Sequence, residues 1–93
     1  MSEQIFVRSS DVHWADVQGE VALMSTRNGC YYALDPIASA VWRKLDRSRE
    51  VGQLAAELAG EYSGDPAQIE KDVRKTLAEW LEWSLITEAP AQP

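Results

Sequence analysis

Few residues in this sequence could carry chemistry. His13 is the single histidine and Cys30 the single cysteine, so no pair of either type stands at metal-ligand spacing. His13 falls inside a short strand-like run with no identifiable partner, and reads as a surface or half-buried strand residue. Cys30 could act as a nucleophile only with a base beside it; next to Tyr31 and Tyr32 it reads as a small apolar filler. No glycine-rich loop able to cradle a phosphate is present. The fifteen Asp and Glu residues are scattered along stretches that read as helix surface, where carboxylates are solvated. The expectation is a protein with no catalytic residue, no metal and no cofactor.

Composition limits the alternatives. The 93 residues are 45% hydrophobic and 26% charged, enough for one domain with one modest core. The net charge of −6 opposes functions that neutralise phosphates, whether nucleic acid or anionic membrane. There is no apolar run long enough to cross a bilayer, and the first residues lack the basic start and apolar stretch of a signal peptide. A cytoplasmic protein is the expected setting, with neither nucleic acid nor membrane as partner.

The elements that must position any site follow from periodicity and turn signals. Val12 to Val17 reads as a first strand ending at Gln18-Gly19, and Glu20 to Ser25 as a second. Asn28-Gly29 is the strongest short hairpin signal, because both residue types tolerate positive φ. Cys30 to Leu34 is a third strand, giving an antiparallel meander. Asp35-Pro36 opens a helix through Ile37, Val41, Trp42 and Leu45, with Asp as cap and Pro in the first turn. Polar residues 46–50 form the connection to a second helix, which carries Val51, Leu54, Ala55, Leu58 and Tyr62 on one face. Asp65-Pro66 repeats the start signal and opens the longest helix, to about Trp83. The fold class is α+β, a three-stranded meander followed by three helices.

Two features point to binding. With Ile69 at zero and about 100° per residue, the last helix places Val73, Leu77, Trp80 and Leu81 between about 20° and 120°; Thr76 and Trp83 lie on the other side of zero and Leu85 beyond. This apolar arc of roughly 200° is wider than one core contact needs. Either the helix covers both the sheet and the other helices, or one flank lines a groove. In the second case Ile69, Asp72, Val73, Thr76 and Trp80 supply specificity, with Trp80 the central anchor unless it faces the core. The third strand is a sheet edge without a charged residue or proline between Cys30 and Leu34. Such an edge suits either a peptide that adds a strand or a neighbouring subunit.

The ordered residues resemble a known family. The stretch from Gly29 through Tyr31, Tyr32, Leu34 and Asp35 to Ala38, Val41 and Trp42 resembles the signature of PqqD-like proteins. Val51-Gly52-Gln53-Leu54 and the series Asp72, Val73, Leu77, Leu81, Leu85 and Ile86 resemble that family's later segments. The similarity covers about residues 12 to 87, leaving 1–11 and 88–93 as an expected flexible N-terminus and tail. Departures are Asp35 for a common Asn, Ala38 for a usual Gly, and Ser84 where Gly often stands. The resemblance implies a winged-helix-like recognition element for ribosomally made, modified peptides. In that family a precursor's leader lies as a strand along the third strand, in a groove walled by the last helix. The implied peptide-binding residues are then Cys30, Tyr31, Tyr32, Ala33 and Leu34 with Ile69, Asp72, Val73, Thr76 and Trp80. Maturation enzymes are the implied further partners. Lasso-type members work with a leader peptidase and a cyclase, and the residue pattern looks closer to these than to the quinone-cofactor members that serve a radical enzyme. A DNA-binding winged helix is the rival architecture. Acidic residues outnumber Lys71, Arg74 and Lys75 on the last helix, and the second helix has no Lys or Arg from Val51 to Tyr62, which opposes it.

Overall fold

The computed structural model describes residues 5–47 and 49–89. In chain order these form β1 (Ile5–Arg8), β2 (Val12–Val17), β3 (Glu20–Ser25), β4 (Tyr31–Ala33), α1 (Pro36–Lys44), β5 (Arg49–Glu50), α2 (Val51–Glu61), α3 (Pro66–Glu82) and β6 (Ile86–Glu88). β2, β3 and β4 pair antiparallel in that order, which is the expected meander. Its inward positions Val21, Leu23, Ser25 and Leu34 are buried.

The tight turn of the meander is at Gln18-Gly19, where both residues have positive φ (54° and 88°) and link Val17 directly to Glu20. Two consecutive positive values match the right-handed twist of the flanking strands. At Asn28-Gly29 only the glycine adopts positive φ. There the Asn28 side chain instead accepts the Cys30 N–H at 2.8 Å, closing a longer loop.

α1 starts as expected: the Asp35 carboxylate accepts the Ala38 N–H at 2.8 Å and Pro36 fills the first turn. Ser39 fixes the helix to the sheet. Its hydroxyl accepts the Val21 N–H at 2.9 Å and donates to the Leu34 carbonyl at 3.3 Å, so a buried hydroxyl is satisfied on both sides. α3 is capped by Asp65, which accepts from Ala67 N–H at 3.0 Å. It ends where Ser84 turns to φ 61° and Leu85 N–H returns to Trp80 O at 2.9 Å. A left-handed residue at this position explains why glycine is the usual occupant.

The N-terminal expectation is corrected. Residues 5–8 form the central strand of a second sheet, ordered β5-β1-β6, with Phe6 buried against the helices. Arg8 supplies a further anchor: its guanidinium donates to Trp42 O at 2.7 Å and lies 4.7 Å from the Trp14 ring centre. At the other end, Glu88 belongs to β6 and Ala89 N–H reaches Ile5 O at 2.8 Å. The polar connection likewise contains β5, and Arg49 is buried there with Glu57 as its ion-pair partner. Residues 1–4 and 90–93 lie outside the described residues.

Candidate peptide-binding site

β4 pairs with β3 on one side only among the described residues. Ser25 N–H bonds Cys30 O at 3.0 Å and Leu34 N–H bonds Val21 O at 2.9 Å. In an antiparallel ladder the residues alternate between facing the partner and facing away. Tyr32, two residues from each of those pairs, therefore faces β3, while the N–H and C=O of Tyr31 and Ala33 point to the open edge. The edge thus presents two donors and two acceptors at the spacing of a strand, and it carries no charged side chain.

Where the chain leaves β4 through Leu34 and Asp35 lies a shallow groove of about 240 Å³, lined by Asp35, Ile37 and Ala38 on one wall and by Asp72, Lys75, Thr76 and Glu79 on the other. On the helical wheel the latter four fall between about 240° and 340° from Ile69, all on one flank of α3. Trp83 lies one turn further along that flank. Its ring stacks on Tyr32 at 5.4 Å between centroids with an interplanar angle of 16°. β4 and α3 are thereby bound together at the end of the groove by an aromatic pair, and Tyr32 Oη accepts from Asn28 Nδ2 at 3.2 Å. Three of the groove's charged groups are carboxylates. Asp35 is committed to the α1 cap, and Asp72 accepts from Gln68 Nε2 at 3.0 Å.

The structure divides the ten sequence-predicted residues. Tyr31, Tyr32 and Ala33 form β4, and Asp72 and Thr76 face the groove. Leu34 is buried, and Cys30 is an exposed residue just before the strand rather than an apolar filler. Ile69, Val73 and Trp80 are core residues. Together with Leu77 they form the buried stripe of α3, and Trp80, 2% exposed, packs edge-to-face on Trp42 at 5.6 Å. That stripe spans only about 80° of the wheel. The broad apolar arc is therefore one core stripe with two looser flanks, Leu81 on one side and Trp83 on the other, both exposed. Sequence reasoning missed Asp35, Ile37, Ala38, Lys75 and Glu79 as groove residues. The first three lie on another element, and no periodicity within α3 could have found them.

The arrangement offers an unpaired strand edge and a groove whose walls carry three carboxylates and one ammonium group. His13 is exposed on β2, away from this groove, and no cluster of His, Cys, Asp and Glu able to hold a metal ion exists among the described residues. Nor is any helix there long and apolar enough to cross a membrane.

Known proteins share both sequence and fold with this chain. Over 40 residues it is 50% identical to PqqA binding proteins of Xanthomonas euvesicatoria pv. vesicatoria (strain 85-10) and Xanthomonas axonopodis pv. citri (strain 306). The matched stretch is 43% of this chain and 44% of each relative, less than half the length of those proteins. In structure it is similar to TbiB1 in complex with the TbiA(beta) leader peptide, with a TM-score of 0.80, 28% identity, and 92% of this chain and 99% of that chain covered. It is also similar to the PqqD truncation of Methylobacterium extorquens PqqCD, described as a stand-alone RiPP recognition element. There the TM-score is 0.72, with 25% identity and coverage of 88% and 87%. A lasso peptide synthetase B1 complexed with the leader peptide shares the fold at a TM-score of 0.76 and 20% identity, over 91% and 98% of the two chains. Residues 20–86, well over half of the chain, match the family model described as coenzyme PQQ synthesis protein D (PqqD), and the chain belongs to that family.

Proposed function

We propose that this protein is a non-catalytic adaptor that binds the leader region of a ribosomally synthesised precursor peptide and holds it for maturation enzymes. The observation that carries this reading is the open edge of β4, with Tyr31 and Ala33 directed outward beside the groove on the α3 flank. A leader adding as a fourth strand satisfies those backbone groups, and its side chains toward α3 meet Ile37, Ala38, Asp72 and Thr76. Backbone pairing suits any sequence, so discrimination falls to the groove.

The lasso-type reading, with a leader peptidase and a cyclase as the enzymes served, is supported by the likeness over nearly the whole chain to a protein solved with its leader. The family model and the 40-residue identity to PqqA binding proteins favour a second reading, a chaperone for a quinone-cofactor precursor acting with a radical enzyme. Titrating the protein with dye-labelled leaders of both kinds separates them, the precursor encoded beside this gene being the decisive probe. Anisotropy should rise and saturate with the cognate leader. Thr76→Arg supplies the control, since Asp35, Asp72 and Glu79 would hold the guanidinium in the groove. Affinity should then fall about thirtyfold or more, the loss typical of a central contact. Folded Thr76→Arg protein with unchanged affinity would remove the groove from the account.

A further inference from the structure

Asn28-Gly29 carries chemistry that the turn alone does not use. Asn28 is the single asparagine of the chain, and it is exposed together with Gly29. An asparagine carboxamide is most open to attack by the following backbone nitrogen when that nitrogen belongs to glycine, which has no Cβ to shield it. Nothing lies within 4 Å of where a Gly29 side chain would begin, so no neighbour supplies the missing shield.

The folded loop nevertheless ties every reacting atom. The Gly29 N–H, which must lose its proton for the nitrogen to attack, donates to Ser25 O at 2.9 Å. Asn28 Oδ1 accepts the Cys30 N–H at 2.8 Å, and Nδ2, the leaving nitrogen, donates to Tyr32 Oη at 3.2 Å. The side chain is thus held in an Asx turn of its own backbone. Tyr32 is in turn stacked on Trp83, so the restraint runs from the loop through β4 to α3.

We propose that Asn28 is a site of self-modification by deamidation, restrained by this loop and released when the start of β4 opens. The Gly29 nitrogen attacks Asn28 Cγ and gives its proton to water; Nδ2 leaves as ammonia, and a succinimide ring remains. Water then opens the ring at either carbonyl. Opening at Cγ gives aspartate, and opening at the backbone carbonyl gives isoaspartate. The net change consumes one water and releases one ammonia, with nothing oxidised or reduced.

The two products differ in consequence. Aspartate keeps the chain length and the contact with Cys30, and loses only the donor to Tyr32. Isoaspartate adds a methylene to the backbone between residues 28 and 29. That displaces Gly29 and Cys30, whose bonds to Ser25 at 2.9 and 3.0 Å close the loop at the start of β4. Resting on the peptide-binding reading above, the isoaspartate form has a damaged peptide edge. A bound leader, by holding Tyr31 and Ala33, keeps the loop closed and slows the reaction.

The test follows Asn28 by peptide mapping and mass spectrometry at mildly alkaline pH, with released ammonia as a second readout. One hydrogen bond of this kind shifts an opening equilibrium about fivefold, so the three together should slow the folded protein on the order of tenfold to hundredfold against the chain unfolded in urea. Tyr32→Phe keeps the ring on Trp83, removes only the hydroxyl, and should recover about fivefold of that rate. Asn28→Gln should release no ammonia from the loop. A folded protein that stays unconverted while the unfolded chain converts completely overturns the site. Folded and unfolded rates that are equal, or a Tyr32→Phe protein of unchanged melting temperature and unchanged rate, overturn the restraint. Saturation with the leader encoded beside this gene should slow conversion several-fold. A leader that binds without slowing it overturns the coupling to β4, whereas a leader that does not bind refutes the peptide reading and leaves the modification site standing.

Discussion

Trp80 offers the sharpest separation of stability from binding. Its side chain is buried, and its ring meets the fully buried Trp42 edge-to-face. Truncating a buried aromatic to alanine costs about 3–5 kcal/mol, and the lost ring pair contributes about 0.5–1.5 kcal/mol beyond area alone. A domain of this length has a total stability of about 5–14 kcal/mol, so Trp80→Ala removes a large share of it. At about 4–8 °C per kcal/mol, the melting temperature should fall by roughly 12–40 °C. Trp80→Phe keeps a ring against Trp42 and should cost only about 1–2 kcal/mol. Thermal melts followed by circular dichroism measure the first effect. Anisotropy titrations with leader, run well below both midpoints, measure the second. Trp80→Phe should bind leader within about twofold of the unaltered protein, because the side chain faces away from the groove. A Trp80→Phe protein that melts normally but loses about tenfold in affinity would make Trp80 a binding anchor and refute its place in the core.

Two further predictions concern stability. Ser84 occupies a left-handed conformation, φ 61°, that favours glycine, so Ser84→Gly should stabilise the fold by about 0.5–1 kcal/mol and raise the melting temperature by several degrees. For Glu57, desolvation is the largest influence and raises its carboxyl; the Lys44 hydrogen bond and the charges of Arg49 and Lys44 together outweigh it, leaving the group below its ordinary value. A depressed carboxylate stabilises the fold above the ordinary carboxylate range, and that contribution disappears as pH falls through the depressed value. The stability gap between the protein and Glu57→Gln should therefore be constant near neutrality and close in acid; a gap that widened in acid would reverse the assignment.

The meander and the helix starts were legible because each is announced locally. Val12 to Val17 and Glu20 to Ser25 are bounded as read, and Asp35-Pro36 and Asp65-Pro66 open helices through caps that contact residues two or three positions on. The second sheet was not. β1 has four residues, β5 two and β6 three, and their pairing joins Phe6 to Arg49 and Glu88 across the whole chain. Segments that short carry no period, and their pairing depends on helices that are themselves distant in sequence. The candidate site was half legible for a related reason. The open edge of β4 follows from strand order alone. Which flank of α3 faces it depends on where the helix lands, and that is set by Trp80 on Trp42 and by Trp83 on Tyr32. An apolar arc shows which residues avoid water, not which of them meet the core first. Ile69, Val73 and Trp80 were therefore indistinguishable from groove residues until the packing was seen.

Residue-resolved amide exchange across β4, with and without leader, tests the central claim most directly. Tyr32 and Leu34 already face β3 and should exchange slowly in both states. Tyr31 and Ala33 point to the open edge, so their exchange should slow when leader is added, as new strand bonds protect them. Slowing at alternate residues of β4 is the predicted result. Protection confined to β2, or none at Tyr31 and Ala33 under saturating leader, would contradict the account.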